Sequence, residues 1–523
     1  MEKRTGGVRL LKQSKRGLVR AIFSRTGLIF TLLMLQFFVM FIGMVLFDDL
    51  VSYFWTGHYL ISVVAFFILI NSQIDPSAKL TWIVVILLFP IFGTLLFWYT
   101  KSDLGHRTLK KRYEKQLHLT QKAIKSNEEV TNKLPEEAPE LVSLEKYLAK
   151  SGCHPIFART QTTYFSSGES QWEAMLNEIE KAEKFIFLEY FIVEEGVMWG
   201  KILEILAKKA SQGVDVRFIY DGTCEFTTLP HSYPKQLHTL GISTKVFAPV
   251  APFASTHYNY RDHRKILVID GKVAFTGGSN LADEYINLKH KYGHWKDSAI
   301  MLRGDAVCSL TLLFLQMWNL NEAIPEYEPY LFSPPETAFA EDGYVIPFGD
   351  FPLDAYRTCE MVYIDILNRA EHYVHIMTPY LILDGALETA IKFAAQRGVD
   401  VTLILPGTPD KRAPYALART HYGSLLRAGV KIYEYTPGFV HAKVFVSDDI
   451  RGVVGTVNLD YRSLYHHFEC AAYLYRTSCL KDIEKDFQDT LAHSEEVALK
   501  NYRKKKRGYY LLGLLLKILA PLL

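Results

Sequence analysis

The 523-residue sequence predicts an α/β protein made of two homologous halves, each a mixed sheet flanked by helices. The halves form one site and are preceded by N-terminal transmembrane helices. Three observations carry this reading. Beyond residue 150, short apolar strand-like runs alternate with amphipathic helical stretches. That alternation occurs twice, with matched polar motifs in each copy. The first hundred residues also hold three long runs without a charge.

Residues 1–27 are a basic tail, eight Lys/Arg against Glu2, expected on the cytoplasmic side. Residues 28–100 read as a membrane anchor of two to three transmembrane helices. The uncharged runs are 28–47, 51–70 and 80–99, and about 20 apolar residues cross a hydrocarbon core of roughly 30 Å. Trp82 and Trp98, near the ends of the third run, suit the membrane interface. Residues 101–126 are again basic. An even number of spans keeps both basic segments on one side, and three spans separate them. So either one run is re-entrant or interfacial, or the catalytic part lies outside the cell.

Residues 101–150 read as a charged helical linker, 151–335 as the first half and 336–499 as the second. Residues 500–523 place a basic cluster before a short apolar tail, a pattern suited to association with anionic lipid at the membrane surface. The formal net charge of +3 hides this segregation. Segments 1–27, 101–126 and 500–507 carry +7, +6 and +6, so the remainder is acidic. The basic clusters flank apolar segments instead of lining a groove, which argues against a nucleic-acid partner. The six cysteines are dispersed with no C-x-x-C pair, which argues against a structural zinc or a disulfide framework.

The repeat is explicit. The first half has Phe185-Ile-Phe-Leu-Glu-Tyr-Phe191, a helix, then Gly213-Val-Asp-Val-Arg-Phe-Ile-Tyr-Asp-Gly222. The second has Tyr373-Val-His-Ile-Met-Thr-Pro-Tyr380, a helix, then Gly398-Val-Asp-Val-Thr-Leu-Ile-Leu-Pro-Gly407. Each reads as strand, helix, parallel strand. Each half then reaches an H-x-K-x4-D motif: His263, Lys265 and Asp270 in the first, His441, Lys443 and Asp448 in the second. Asn280 and Asn458 follow 17 residues after each histidine, behind glycine-bearing turns. On a strand, His and Lys at i and i+2 share a face. Two halves packed together therefore gather two imidazoles, two ammoniums and two amides, a cluster that a phosphate would neutralise. Asp270 and Asp448 lie past the strand end and read as structural more than catalytic.

At these residues the chain resembles the phospholipase D superfamily, whose signature is the duplicated H-x-K-x4-D. Within it the chain is similar to bacterial cardiolipin synthases. The similarity lies in Pro76-Ser-Ala-Lys-Leu-Thr-Trp82, Pro90-Ile-Phe-Gly93, Gly277-Gly-Ser-Asn-Leu-Ala-Asp-Glu-Tyr285, Trp295-Lys-Asp297, Gln316-Met-Trp318 and Tyr433-Glu-Tyr435. It covers about residues 50–523. The resemblance implies phosphatidyl transfer between two phosphatidylglycerol molecules through a phosphohistidine, in a multi-pass protein of the bacterial cell membrane. His263 is assigned as nucleophile and His441 as acid/base, although sequence symmetry permits the reverse. Lys265, Lys443, Asn280 and Asn458 would hold the non-bridging oxygens. Asp297 and Glu469 would orient the imidazoles. Thr456 matches a phosphate-facing hydroxyl, with Gly278 at its place in the first half. No metal or cofactor is expected, and the oligomeric state is left open.

Two other outcomes share these motifs: hydrolysis with water as acceptor, and transfer to another alcohol. Of the remaining polar residues, one of Lys411, Arg412 and Arg419 is expected at the lipid headgroup. His466 and His467 are expected on the surface or in packing, and His257, Tyr258 and Tyr260 in aromatic packing ahead of lining a glycerol or acyl entrance.

Overall fold

The structure is a computed structural model describing residues 34, 38, 51–72, 74–101, 104–124, 128–249, 260–331, 342–502, 506–517 and 520. The basic tail 1–27 and, apart from Met34 and Phe38, the first uncharged run lie outside the described residues. The chain divides into two compact units. One is built mainly of Leu11–Arg107, the other mainly of Thr108–Val250 and His257–Gly513.

In the first unit the helix Val51–Ile70 covers the second uncharged run. The third run, expected as one span, is two helices, Pro76–Leu88 and Pro90–Lys101. Pro90 lacks an N–H and disfavours the helical conformation of the residue before it. Phe89 accordingly leaves the helix at φ −137°, ψ 71°. At 13 and 12 residues these helices are about 20 and 18 Å long, short of a bilayer core. Asp75 starts the first of them, accepting from the backbone of Ser77 at 2.8 Å and Ala78 at 3.3 Å. Ala65, Leu69, Trp82, Ile86 and Phe97 form the small core. Trp82 is therefore buried there, not placed as an interfacial anchor, whereas Trp98 is exposed. Outside that core the surface is apolar, with Phe67, Leu80, Leu87 and Leu95 exposed. Among the described residues no helix is long and apolar enough to cross a membrane.

The second unit holds two sheets. The first half contributes β1 (Thr160–Phe165), β2 (Phe185–Tyr190), β3 (Asp215–Asp221), β4 (Ser243–Phe247), β5 (Arg261–Asp262), β6 (Lys265–Ile269), β7 (Val273–Gly277), β8 (His294–Lys296) and β9 (Ala299–Gly304). The second half contributes β10 (Tyr344–Asp350), β11 (Tyr373–Met377), β12 (Asp400–Pro406), β13 (Lys431–Tyr435), β14 (Gly438–Val440), β15 (Val444–Ser447), β16 (Arg451–Gly455), β17 (His467–Tyr475) and β18 (Ser494–Glu496).

One sheet runs β1-β9-β7-β6-β2-β3-β4 and the other β10-β17-β16-β15-β11-β12-β13-β18. The orders correspond strand for strand except for the extra edge strand β18. In each, three strands joined by helical crossovers are parallel: β2, β3 and β4 in one, β11, β12 and β13 in the other. The remaining neighbours are antiparallel, which gives the mixed sheet the repeat implies.

The sheets share one core. Ile266, Val268, Val444, Val446 and Phe468 belong to a single buried cluster with the helix Val307–Trp318. That helix is apolar nearly all round, and all but Cys308 of its side chains are buried. The charged segment 101–150 is helical where described, and from Thr108 onward it is packed into this unit. Tyr113 stacks on Phe351 with ring centroids 3.9 Å apart, and its hydroxyl donates to Gln316 at 3.1 Å. Leu134, Leu141, Leu144 and Leu148 enter the core of the second half.

Candidate active site

Each half lends the other a short strand, and the motif histidines follow those strands. β5 pairs in parallel with the start of β17, Arg261 opposite His467 and Asp262 opposite Phe468. β14 pairs in parallel with β8, Phe439 opposite Trp295 and Val440 opposite Lys296. The register continues one residue further: His263 N donates to Phe468 O at 3.0 Å, and His441 N to Lys296 O at 2.7 Å. Each histidine thus faces the carboxylate that comes next on the other half's strand. His263 Nδ1 lies 2.9 Å from Glu469, and His441 Nδ1 lies 2.8 Å from Asp297.

The orienting acids are therefore crossed between halves. A carboxylate at Nδ1 holds the proton there and leaves the Nε2 lone pair for chemistry. Lys265 and Lys443 each donate to the carbonyl oxygen of the histidine two residues earlier, but the histidines lie between strands and not on the strand expected from the i, i+2 spacing, since β6 begins at Lys265 and β15 at Val444. Lys443 Nζ is also 2.8 Å from His441 Nδ1. All six side chains are at most 7% exposed.

Burial sets the electrostatics. It pushes His263 well below the usual histidine range, assisted by Lys265 and His467, and brings His441 down to about 4, assisted by Lys443 and opposed by Asp297. It lowers Lys265 to about 8 and Lys443 to about 7. The two acids diverge. Burial alone would raise Asp297, but His441 and Lys443 hold it below the usual range, whereas burial drives Glu469 well above it against Lys265 and Thr456. Burial thus weakens the positive charge of all four cation-capable groups, and a phosphate dianion or diester among them would favour their charged forms.

Asp270 and Asp448, grouped with the catalytic residues in the sequence motif, sit at the far end of their strands. Asp270 accepts from the backbone of Glu183, Lys184 and Phe185 at 2.8, 2.7 and 2.8 Å. Asp448 accepts from Glu371, His372 and Tyr373 at 2.9, 3.0 and 2.8 Å. Both have left-handed backbones, φ 53° and 56°. They tie the β6 and β15 exits to the starts of β2 and β11. Asp270→Ala is expected to cost about 2 kcal/mol of stability by stripping these charged acceptors. Thermal unfolding would show a lowered Tm while the remaining folded enzyme keeps its kcat.

Asn280 is engaged within its own half: its Oδ1 accepts from Ile192 N at 3.0 Å and its Nδ2 donates to Tyr285 Oη at 2.8 Å. Tyr285 in turn lies edge-on to His441, centroids 5.4 Å apart. Asn458 Oδ1 is buried without a hydrogen-bond partner among the described residues. Thr456 donates to Glu469 and to Cys470 O, so its hydroxyl holds the orienting acid. The matching position is Gly278 for a steric reason: a Cβ there would lie 1.9 Å from Asp297 Oδ1.

His467, expected on the surface or in packing, is buried directly beside the first motif histidine. It is 7% exposed, its ring centroid is 5.2 Å from that of His263, and its Nδ1 is 3.6 Å from Glu469. The repeat held the signal. His467 precedes Glu469 by two, as Trp295 precedes Asp297, and Trp295 Nε1 donates to Asp297 at 3.2 Å. His263, His467 and Glu469 are close enough to surround a cation. The donor set does not suit one, because Arg462 Nε donates to His467 Nε2 at 3.2 Å and so leaves its Nδ1 protonated, and Lys265 adds positive charge alongside.

Of the basic residues expected at a headgroup, Arg419 is structural. It is 1% exposed, bonded to Glu434 at 2.7 Å and to Tyr502 O at 2.6 Å. Lys411 is exposed, with its ammonium 5.7 Å from the Tyr380 ring, and Tyr380 donates to Asp410 at 2.6 Å. His257 and Tyr258 lie outside the described residues. Tyr260 meets His466 edge-on at 6.0 Å.

Residues 175–318 and 363–491 match the family described as cardiolipin synthase, phospholipase D-like domain, one segment in each half. Residues 60–100 match the family described as phospholipase D-nuclease N-terminal. A cardiolipin synthase of Geobacillus thermodenitrificans is 33% identical over 462 residues, 88% of this chain and 91% of that protein. One of Alkalihalophilus pseudofirmus is 34% identical over 86% of this chain and 89% of its own. An uncharacterized protein of Streptococcus mutans is 54% identical over 87% of this chain and 98% of its own. A phosphatidylserine synthase structure from Haemophilus influenzae shares the fold, with a TM-score of 0.55 at 14% identity over 73% of this chain and all of that one. With both halves matched and relatives aligned along most of its length, the chain belongs to the phospholipase D-like family of cardiolipin synthases.

Proposed function

We propose that the protein is a cardiolipin synthase that joins two phosphatidylglycerol molecules and releases glycerol. The observation that carries this reading is the pair of histidines, each backed at Nδ1 by an acid from the other half and flanked by a buried lysine. The donor phosphodiester sits between the two Nε2 atoms. His263 Nε2 attacks phosphorus, and the bond from phosphorus to the terminal glycerol oxygen breaks. His441, as imidazolium, gives its proton to that oxygen, and glycerol leaves. The glycerol hydroxyl of a second phosphatidylglycerol then returns a proton to His441 and attacks the phosphohistidine. Cardiolipin forms, and His263 is free again.

The division of roles follows the acids. An imidazolium is best stabilised beside a carboxylate that stays ionised, and Asp297 is the acid held low. His263, driven strongly toward the neutral form, has the lone pair of a nucleophile. Lys265 and Lys443 neutralise the non-bridging oxygens, and Asn458 has a free amide oxygen for an acceptor hydroxyl. The uncharged runs and the apolar surface of the N-terminal helices support a multi-pass anchor in the bacterial cell membrane.

The test is product analysis of the full chain in proteoliposomes of defined phosphatidylglycerol with chelator present. Cardiolipin and glycerol in equal amounts are expected, and phosphatidic acid as the sole product would overturn the reading in favour of hydrolysis. The lysines add a pH signature. As pH rises through about 7 to 8, Lys443 and then Lys265 lose their charge, so kcat/KM should fall over that window. Conversely, inorganic phosphate binding at pH 8 should take up protons, seen as a binding enthalpy that depends on the buffer.

A further inference from the structure

The helix Arg507–Leu516 has two unlike sides. One is docked. Gly513 permits a close approach to the helix Arg412–Arg427, since a Cβ there would lie 2.1 Å from Ala416 O. Tyr509 packs edge-on against Tyr415 at 5.1 Å, and Lys506 donates to Gly407 O at 3.1 Å while pairing with Glu434 at 3.1 Å. The chain just before it is held as firmly, with Tyr502 O accepting from the buried Arg419.

The other side is bare. Leu511, Leu512, Leu514 and Leu515 are 50, 37, 45 and 75% exposed. Exposed Lys500, Arg507 and Lys517 flank them, and no acidic residue occurs after Glu496. Four leucines within five positions cover one face of a helix, and a run of cations with no acid beside them fits an anionic leaflet.

We propose that this helix is a docking element that seats the catalytic unit on an anionic bilayer through its leucine face. The docked side makes the contact consequential. The helix Arg412–Arg427 follows directly on Asp410 and Lys411, which meet Tyr380, and Lys411 acts electrostatically on Asp460, the residue that caps the short helix after Asn458. Lipid contact at the leucines is thus joined, through the helix Arg412–Arg427, to residues that adjoin Tyr380 and Asp460. The inference rests on the reading that the site works on membrane lipid, and it is tested separately from that reading.

The test is an environment-sensitive nitrobenzoxadiazole label at Leu515→Cys in the full chain, reconstituted into bilayers of phosphatidylcholine with or without phosphatidylglycerol. The unsubstituted chain gives the background from its own thiols. A blue-shifted, brighter emission is expected only with the anionic lipid, while the same label at Leu288→Cys, an exposed position of the first half, stays aqueous. An aqueous signal at position 515 in both bilayers would overturn the proposal. So would an apolar signal that persists in detergent, because that means a protein covers the face. These readouts stand whatever reaction the site performs. For function, Leu511→Glu with Leu515→Glu should lower turnover of bilayer substrate about tenfold and leave turnover of a short-chain soluble substrate unchanged. Equal turnover of bilayer substrate would overturn the coupling.

Discussion

His263→Ala is expected to abolish phosphatidyl transfer, a loss of about 10⁴-fold or more, since it removes the group assigned to form the covalent intermediate. His441→Ala should lose a similar amount on phosphatidylglycerol but behave differently with a phosphatidyl-p-nitrophenol donor. Nitrophenolate leaves without a proton, so the first step no longer needs the acid. The His441→Ala enzyme should then release about one equivalent of nitrophenol and stall as phosphohistidine at His263. His263→Ala should give no burst. The opposite pattern would reverse the two roles while keeping the two-histidine mechanism, and steady turnover by either variant would remove that mechanism altogether. Circular dichroism spectra matching the unsubstituted protein would separate these outcomes from unfolding.

The crossed acids give the second large effect. Glu469→Gln replaces the carboxyl group at His263 Nδ1, 206 positions away in sequence, with an amide that cannot ionise and can present an N–H instead, and should slow formation of the intermediate roughly 10²- to 10⁴-fold. Asp297→Asn removes the partner of His441 and should spare the nitrophenol burst while slowing everything after it. Acids acting on the histidine of their own half would give the reverse assignment. A thermodynamic cycle supplies a second measure: Glu469→Gln should add little to the loss already caused by His263→Ala, because the two act as one unit.

Much of the fold was legible because it is local and written twice. The strand, helix, strand blocks after Phe185 and Tyr373 became β2 with β3 and β11 with β12, with the expected parallel pairing. The expectation that His and Lys alternate along one strand did not hold, because His263 and His441 lie in the irregular links after β5 and β14, before β6 and β15 begin. What was not legible is non-local. Nothing near Glu469 says that it serves His263 rather than His441, since that pairing depends on how β5 and β17 align across halves.

The closeness of His467 to His263 was not legible for the same reason, since it depends on how β5 and β17 align. The aspartates of the motif have a simple physical explanation once their backbone partners are seen, but a motif read as one unit conceals that its last residue lies at the other end of the strand. Asn280 likewise sits at the expected place but is bonded within its own half. The break in the third apolar run was in the sequence as Pro90, and a hydropathy reading passes over it because proline carries no charge.

The strand exchange that builds the site has a consequence for how such a protein could arise. A single half carries a histidine without its acid and an acid without its histidine, so it becomes complete only as a homodimer, with two identical copies trading strands about a twofold axis. In such a dimer any change is made on both sides at once. Joining the copies in one chain lifts that constraint. Here the corresponding positions of the two halves differ, Asp297 against Glu469, Trp295 against His467, and Gly278 against Thr456. A single chain thus permits the two sides of the site to carry different residues.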